Sequence, residues 1–317
     1  MDASPVSDGP RVAIVGAGII GSSWALVFAR AGWQVRVYAR HATVRDSLHS
    51  RVLRAAAAAE AVAPGVTPDE IVARIDVSAT LAEAVEGATW VQESIEESRD
   101  AKATCFAELD ANAPAEAILA SSTSSIGASL FTAGLVGQHR CLVAHPATPP
   151  HLLPVIEVVP TPVTTDAVVQ RAFRILREVG QVPVLVRFER PGFVMNRLQV
   201  ALLTEMFAVV RDGLMSPADV DALIRDGFGL RWALLGPMEG IDLNAPGGIT
   251  DYLARYGFMF EQAARERGAT DPVVTDALRE TLQAAMRERL PLEGIPERIA
   301  WRDRRISAVR ALRSLEP

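Results

Sequence analysis

The sequence predicts an α/β fold, with a doubly wound parallel sheet domain followed by an all-helical C-terminal domain. From residue 11 to residue 190, short apolar runs alternate with helical patterns, as in parallel sheets whose strands are joined by helices. The first run leads directly into a glycine-rich turn and a helix, which is how a Rossmann-type domain begins. After Pro191-Gly192-Phe193 the alternation ends and helical patterns follow one another. We therefore predict a sheet domain at 1–190 and a helical domain at 191–317.

Apolar runs bounded by glycine, proline or polar residues are predicted as the strands of the first domain. In chain order they are Arg11–Gly16, Gln34–Tyr38, Thr89–Gln92, Ala117–Ser121, Cys141–His145, Val155–Val159 and Val182–Val186.

Helix ends are marked by their own signals. The first helix is predicted from Ile19 to about Ala31, and Gly32 terminates it because glycine tolerates the left-handed cap conformation. Residues 42–75 are predicted as helical, with a new start at Thr67-Pro68-Asp69-Glu70, which combines a capping box with proline in the first helical position. In the second domain, Ser216 is a predicted helix start. The helices predicted there lie at about 193–212, 216–226, 248–267, 271–289 and 296–314.

Composition excludes several classes of protein. The net charge is −6, whereas a nucleic-acid-binding domain carries a basic stripe. No run of about 18 apolar residues appears, so no membrane span is expected, and the N-terminal segment lacks the basic and apolar regions of a signal peptide. Both cysteines, Cys105 and Cys141, lie in apolar stretches, which argues against a disulfide and favours a reducing compartment. We expect a cytoplasmic protein without nucleic-acid or membrane partners.

The glycine-rich turn predicts dinucleotide binding. Gly16 permits the tight turn, Gly18 lets the backbone approach a pyrophosphate, and Gly21 lets the helix pack on the strand. The phosphates lie at the helix N-terminus, where free N–H groups point and the dipole is positive. The alternative is a glycine turn without a ligand. The predicted cofactor-binding residues of this turn are Gly16, Gly18, Ile19, Ile20 and Gly21.

The residues at the end of the second strand bear on whether NAD or NADP is the coenzyme. An NAD-binding unit usually has Asp or Glu there to accept hydrogen bonds from the ribose, but this chain has Ala39 followed by Arg40. Alanine removes the charge that repels a 2′-phosphate, and Arg40 could pair with that phosphate, with Arg45 nearby. The hypothesis is that NADP is tolerated or preferred. The alternative is that Arg40 is solvated and NAD binds without the usual acid.

A histidine and a carboxylate form the predicted catalytic pair. His145 ends one predicted strand, and Glu157 lies inside the next, Val155–Val159. A carboxylate in an apolar strand needs a partner, and the histidine at the neighbouring strand end can supply it. Oxidation of an alcohol needs a base for the O–H proton, and imidazole titrates near the working pH. The carboxylate would fix the tautomer of the ring and stabilise the imidazolium.

Two polar side chains could hold the reacting oxygen. Ser124 follows the strand Ala117–Ser121, at the strand ends where ligands bind in such sheets. Asn196 lies in the first turn of the first helix after the domain boundary, from where its amide could reach the cleft between domains. The alternatives are that the serine caps a helix and that the asparagine is only a helix cap.

These motifs resemble those of the L-3-hydroxyacyl-CoA dehydrogenases over about residues 11–315. The resemblance extends to a branch of that family containing lambda-crystallins and L-gulonate 3-dehydrogenases, with L-carnitine dehydrogenases nearby. The finer resemblance rests on Ala144–Pro150 and Asp226–Pro237. The motifs shared with the whole family are the glycine turn at Gly16, the serine-rich segment 121–125, His145-Pro146 with Pro149-Pro150, the strand Ile156–Val159, and Pro191-Gly192-Phe193 with Asn196-Arg197.

The resemblance implies NAD as cofactor and a dimer joined through the helical domain. It also implies that Glu97 and Lys102, the only lysine in the chain, belong to the cofactor region; the alternative is a solvated charge run. The family's catalytic and substrate-oxygen residues match His145, Glu157, Ser124 and Asn196. Two departures are Ala39, which replaces an aspartate, and Thr148, which replaces an asparagine.

Three functional hypotheses follow. The first is an NAD(P)-dependent oxidoreductase acting on the C3 hydroxyl of a small 3-hydroxy acid, with Arg231 as a bidentate ligand of the substrate carboxylate. The second is a dehydrogenase of 3-hydroxyacyl-CoA esters. The third is a non-catalytic, crystallin-like structural protein, against which the full set of site residues argues. The arginines available to CoA phosphates in the second case are Arg45, Arg51, Arg54 and Arg74.

Overall fold

The computed structural model describes residues 9–58, 65–266, 268, 275–299, 301 and 305. The chain divides into two compact units, the first ending at Leu202 and the second beginning at Leu203. The domain boundary near residue 190 stays a prediction.

The first unit contains one eight-stranded sheet, which confirms the predicted fold class. The strand order is β3-β2-β1-β4-β5-β6-β7-β8. Neighbouring strands are parallel, except that β6 and β7 are antiparallel. The strands are β1 Arg11–Val15, β2 Gln34–Tyr38, β3 Ile75–Val77, β4 Trp90–Glu93, β5 Ile118–Ser121, β6 Cys141–Pro146, β7 Val155–Pro160 and β8 Val182–Leu185.

Strand β3 was missed by the sequence analysis, which assigned Ile75 to a helical region. The strand has three residues and pairs only with β2, at the edge of the sheet. Of these residues only Ile75 is buried, so the segment carries too few apolar positions to show a strand pattern. Its conformation is set by pairing with β2 rather than by its own composition.

The helices of the first unit cover the sheet, and those of the second are joined by short turns. Within the described residues they are α1 Ile19–Arg30, α2 Ala42–Asp46, α3 Leu48–Ala58, α4 Pro68–Val72, α5 Leu81–Val85, α6 Arg99–Asn112, α7 Ser129–Thr132, α8 Asp166–Glu178, α9 Met195–Arg211, α10 Pro217–Ala222, α11 Gly229–Trp232, α12 Pro237–Asp242, α13 Gly248–Glu266 and α14 Asp276–Arg289.

The predicted helix signals are confirmed where the structure describes them. Gly32 follows α1 with φ of +87°. Thr67 accepts a hydrogen bond from the Glu70 N–H at 3.3 Å, and the Glu70 carboxylate accepts one from the Thr67 N–H at 2.8 Å. Ser216 accepts one from the Asp219 N–H at 3.1 Å. Residues 59–64 and 271–274, and most of the predicted helix 296–314, lie outside the described residues.

The sheet has a hydrophobic core on each face. Val12 and Ile14 of β1 contribute to the core that contains the buried side of α1. Ala13 and Val15 point to the other face and join the core that contains the buried side of α6. Because successive strand residues point to opposite faces, the four apolar residues Val12–Val15 of β1 contribute to both cores.

The second unit, from residue 203, is helical in its described part. The predicted helix 216–226 is α10 followed by a π-helical segment, Leu223–Phe228. Two small apolar clusters hold the unit, one around Leu235 and Ile295 and one around Ile249 and Met286. None of the described helices is both long enough and apolar enough to cross a membrane.

Candidate active site

The glycine loop joins β1 to α1, and two of its glycines are required by packing. At Gly16, φ is +99°, and a Cβ would lie 2.5 Å from the carbonyl oxygen of Ser94. A Cβ on Gly21 would lie 1.8 Å from the carbonyl oxygen of Gly16. Around Gly18, in contrast, no described atom apart from those of its chain neighbours and the adjoining helix backbone lies within 4 Å of the Cβ position. The loop is therefore tight at its ends and open at Gly18, where a ligand can approach the backbone.

The N-terminus of α1 fits an anion. Gly18 is the N-cap residue and offers no capping side chain, and the first turn contains no acidic residue. The first N–H groups of a helix lack intrahelical acceptors and lie at its positive end. Ile19 opens this turn with 74% of its surface exposed, while Ile20 packs against the core. The loop thus fits the pyrophosphate of a dinucleotide.

A pocket of about 430 Å³ brings the glycine loop together with the end of β2. Gly16, Gly18, Ala39 and Arg40 all line it. Ala39 is 5% exposed and cannot accept a hydrogen bond through its side chain. Arg40 is exposed, so its guanidinium is available to a ligand.

Arg45, expected near the coenzyme phosphate, is bound to backbone instead. Its Nη1 donates to the carbonyl oxygen of Ala39 at 2.6 Å and to that of Arg40 at 3.1 Å. Arg51 likewise donates to the carbonyl oxygen of Ala17 at 2.5 Å. These two arginines hold the turn after β2 and the glycine loop in place, which leaves Arg40 as the predicted phosphate ligand.

Lys102, on α6, is buried and paired with carboxylates. Only 1% of the residue is exposed. Its Nζ donates to both carboxylate oxygens of Glu93, at 2.9 and 3.2 Å, and lies 3.6 Å from Oε2 of Glu97. Lys102 is therefore bound mainly by Glu93, which the sequence analysis did not single out. The assignment of Lys102 and Glu97 to the cofactor region stays a prediction.

Glu93 is the last residue of β4 and is completely buried. Besides Lys102, the carboxylate accepts hydrogen bonds from Ser121 Oγ at 2.5 Å and from the Ile95 N–H at 2.7 Å. A signal was present in the sequence: an acid at the end of an apolar strand needs a buried partner, and the only lysine follows in the next helix.

Glu97 supports the segment that carries Ser124. Its Oε1 accepts hydrogen bonds from Thr123 Oγ1 at 2.6 Å and from the N–H groups of Ser124 and Ser125, each at 3.0 Å. Burial opposes ionisation of Glu97, but these donors and the charge of Lys102 outweigh it and lower the pKa of the carboxyl group. An ionised Glu97 therefore fixes the backbone of this segment.

His145 and Glu157 are brought together by the antiparallel pairing of β6 and β7. The register places the two residues directly opposite each other, and His145 Nδ1 lies 2.8 Å from Glu157 Oε2. The histidine is 4% exposed. Because the carboxylate is an acceptor, Nδ1 carries a hydrogen, and in the neutral form of the ring the lone pair is then on Nε2. No described residue hydrogen-bonds to Nε2.

The second oxygen of Glu157 binds the start of α9. Oε1 accepts hydrogen bonds from the N–H groups of Val194 and Met195, at 2.9 and 2.8 Å. The turn before them is tight, since Phe193 has φ of +47°. Burial raises the pKa of Glu157, but the hydrogen bonds from His145 and from these two backbone groups outweigh burial, and the pKa is lowered. Glu157 is therefore a fixed anion behind the imidazole.

Asn196 and Ser124 are in direct contact. Asn196 Nδ2 donates to the backbone carbonyl oxygen of Ser124 at 2.9 Å. Ser124 is exposed, and its hydroxyl has no hydrogen-bond partner among the described residues. The segment is thus held by Glu97 on its N–H side and by Asn196 on its carbonyl side, with the hydroxyl of Ser124 left free.

Arg231 belongs to the second unit. Its Nε is buried and has no hydrogen-bond partner among the described residues, and its guanidinium carbon lies 5.7 Å from the centre of the Phe228 ring.

Both cysteines are free and buried; burial raises the pKa of each thiol to about 12, so neither is a reactive thiolate. The described residues contain no group of side chains suited to a metal ion.

Comparison with known proteins matches most of the chain to two models of one family. The model of the 3-hydroxyacyl-CoA dehydrogenase NAD-binding domain matches residues 11–189, and that of the 3-hydroxyacyl-CoA dehydrogenase C-terminal domain matches residues 192–284. The lambda-crystallin homolog of Bos taurus is 39% identical over 307 residues, covering 95% of each chain.

A second relative and a solved structure agree with this placement. The L-carnitine dehydrogenase of Streptomyces griseus is 36% identical over 299 residues, covering 93% of this chain and 87% of the relative. The crystal structure of 5-formyl-3-hydroxy-2-methylpyridine 4-carboxylic acid 5-dehydrogenase, an NAD⁺-dependent dismutase, superposes with a TM-score of 0.72 at 26% identity, covering 98% of this chain and all of the other.

Proposed function

This chain belongs to the 3-hydroxyacyl-CoA dehydrogenase family of NAD-dependent oxidoreductases, and we propose that its substrate is a small free 3-hydroxy acid, oxidised at C3. His145 is the proposed general acid and base. The main support is its hydrogen bond to Glu157, 2.8 Å from Nδ1 to Oε2, which leaves Nε2 free to accept a proton.

When bound, NAD supplies the hydride acceptor. His145 Nε2 accepts the proton of the C3 hydroxyl as hydride leaves the carbon, and Glu157 stabilises the resulting imidazolium. The hydroxyl of Ser124 and the amide of Asn196 are proposed to hold the C3 oxygen. The proton added to His145 leaves to solvent after product release, and the same groups act in reverse during reduction.

The arginines bear on the choice between a free acid and a CoA ester. CoA carries phosphate groups that need cations along their path. Arg45, Arg51 and Arg74, three of the four arginines considered for this path, donate instead to backbone carbonyl oxygens. A free acid needs only one cation, and Arg231 stays the predicted ligand of its carboxylate. The similar L-carnitine dehydrogenase is named for a free 3-hydroxy acid.

A substrate panel tests the proposal. We expect free 3-hydroxy acids, among them L-gulonate, L-carnitine and 3-hydroxybutyrate, to give a kcat/KM at least about tenfold above that of 3-hydroxybutyryl-CoA. In Arg231→Gln, KM should rise for the acid but not for its methyl ester, since only the acid offers a carboxylate. Formation of NADH is measured, with His145→Ala as the control for contaminating activity.

Efficient turnover of the CoA ester without turnover of any free acid would show that the second hypothesis is correct. Turnover of no compound in the panel would favour the non-catalytic, crystallin-like alternative.

The coenzyme preference is a separate prediction. Because Ala39 leaves no carboxylate at the end of β2 and Arg40 is exposed there, we expect NADP to be used as well as NAD. Ala39→Asp should lower kcat/KM for NADP by about tenfold or more through repulsion of the 2′-phosphate, and Arg40→Ala should lower it without affecting NAD. Arg54→Ala, another exposed arginine, is the control. A strong preference for NAD that is unchanged in Arg40→Ala would contradict the prediction.

Dimerisation through the helical domain remains a proposal. It is supported by exposed apolar side chains on two helices, Leu198 and Phe207 on α9 and Phe258 and Met259 on α13. Sedimentation that finds only monomers at micromolar concentration would exclude it. The cytoplasmic location stays a prediction.

A further inference from the structure

A chain of hydrogen bonds begins at an indole on β4. Trp90 Nε1 donates to Gln92 Oε1 at 2.9 Å. An indole N–H can only donate, so it fixes the oxygen of the Gln92 amide on its own side. The amide nitrogen of Gln92 must then face the other way, where it donates to Ser122 Oγ at 2.7 Å. Trp90 and Gln92 are both completely buried, so water does not compete for the indole N–H or the amide.

A second indole N–H donates to the hydroxyl oxygen of Ser122 and occupies its other lone pair. Trp24 Nε1 on α1 also donates to Ser122 Oγ, at 3.2 Å. A hydroxyl oxygen has two lone pairs and one hydrogen. With both lone pairs occupied by obligatory donors, Ser122 must act as the donor in its third contact, with Ser94 Oγ at 2.9 Å. The direction of that hydrogen bond is therefore set by two tryptophans.

Ser94 is left with a hydrogen that no described residue accepts. Its Oγ accepts from Ser122 and makes no other hydrogen bond within the described chain. Ser94 directly follows β4 and lines the pocket of about 430 Å³. Its carbonyl oxygen packs closely against Gly16 of the glycine loop. The Ser94 hydroxyl is thus oriented by Ser122, and its hydrogen has no acceptor among the described residues that line this pocket.

We propose that Ser94 is a coenzyme-positioning residue whose hydroxyl donates a hydrogen bond to an oxygen of the bound dinucleotide. The inference rests on the NAD-binding domain of this family and adds a residue outside the glycine fingerprint. The partner must be an acceptor, such as a phosphate or ribose oxygen, because the Ser94 hydroxyl arrives as a donor. Donors aligned in a chain polarise one another, which strengthens the last bond.

Binding of NADH, measured by its fluorescence without any substrate, tests the proposal. Ser94→Ala removes the donor, and we expect the Kd for NADH to rise about three- to tenfold. Ser94→Thr keeps a hydroxyl and should restore the Kd to within about twofold of the parent. Ser50→Ala is the matched control, because Ser50 is exposed, lies on α3, and bonds only to the Ser47 carbonyl. An unchanged Kd in a folded Ser94→Ala protein overturns the proposal.

The direction of the chain is tested by a double-mutant cycle. Ser122→Ala removes the donor that orients Ser94, so it should raise the Kd for NADH in the parent but not in the Ser94→Ala background. Thermal unfolding of each variant is followed in parallel, because Trp24 and Gln92 lose an acceptor. An equal effect of Ser122→Ala in both backgrounds would show that Ser122 does not act through Ser94, and the directed chain would be rejected.

Discussion

Replacing Glu157 by glutamine is expected to lower kcat by two to four orders of magnitude, about as much as removing His145. The reason is the tautomer of the imidazole. In the folded protein, Oε1 of Glu157 accepts hydrogen bonds from the N–H groups of Val194 and Met195, and these donors will hold the oxygen of a glutamine in the same place. The amide nitrogen then faces His145.

A glutamine N–H facing Nδ1 forces that nitrogen to act as an acceptor. The ring hydrogen must then move to Nε2, so the nitrogen proposed to take the substrate proton no longer has a lone pair. The substitution keeps the volume of the side chain and its contacts with α9, and we therefore expect the fold to survive. The anion that stabilises the imidazolium is lost as well, which acts in the same direction.

Steady-state rates of NADH formation, with circular dichroism and thermal unfolding as checks on folding, measure this effect. Glu178→Gln, an exposed carboxylate on α8, is the matched control and should leave kcat unchanged. A Glu157→Gln protein that retains kcat within about threefold would show that the carboxylate does not set the tautomer.

Replacing Lys102 by methionine is expected to destabilise the first unit by about 3–5 kcal/mol. Methionine fills a similar volume but removes the charge that faces Glu93, which is completely buried. The remaining contacts of that carboxylate, Ser121 Oγ and the Ile95 N–H, carry no full charge. An unpaired buried carboxylate must be left charged at high cost or become protonated on folding.

The double variant Lys102→Met/Glu93→Gln separates loss of a counterion from loss of packing. Because it removes both charges and keeps a polar group for Ser121 and Ile95, it should recover most of the stability lost in Lys102→Met. Urea unfolding is followed by tryptophan fluorescence, since Trp24, Trp33 and Trp90 are buried in the first unit. Arg54→Met, at an exposed position, is the control for loss of a cation.

Two results would contradict this account of Lys102. A loss of less than about 1 kcal/mol in Lys102→Met would mean that the lysine is not the required counterion of Glu93. A double variant as unstable as the single one would assign the effect to packing. In either case we would assign Lys102 to the cofactor region instead, on the basis of the 3.6 Å between its Nζ and Oε2 of Glu97.

Features set by neighbours in sequence could be predicted from the sequence. The glycine turn at Gly16 and the capping box at Thr67 depend on residues within a few positions of each other, so residue type and spacing suffice. The apolar strands could be predicted from their composition. Strand β3 was not predicted, because its conformation depends on pairing with β2. The pairing of His145 with Glu157 was predicted from chemical need, but the antiparallel register that realises it was not.

The sequence by itself determined the class of fold, the coenzyme loop, and the histidine and carboxylate proposed for catalysis. Only the tertiary structure decided what the other polar groups bind: Lys102 to Glu93, Asn196 to the backbone of Ser124, and Trp24 to Ser122. The last two pairs are separated by 72 and 98 residues in the chain. Local periodicity carries no information about such pairs, because the packing of whole strands and helices determines which donor meets which acceptor.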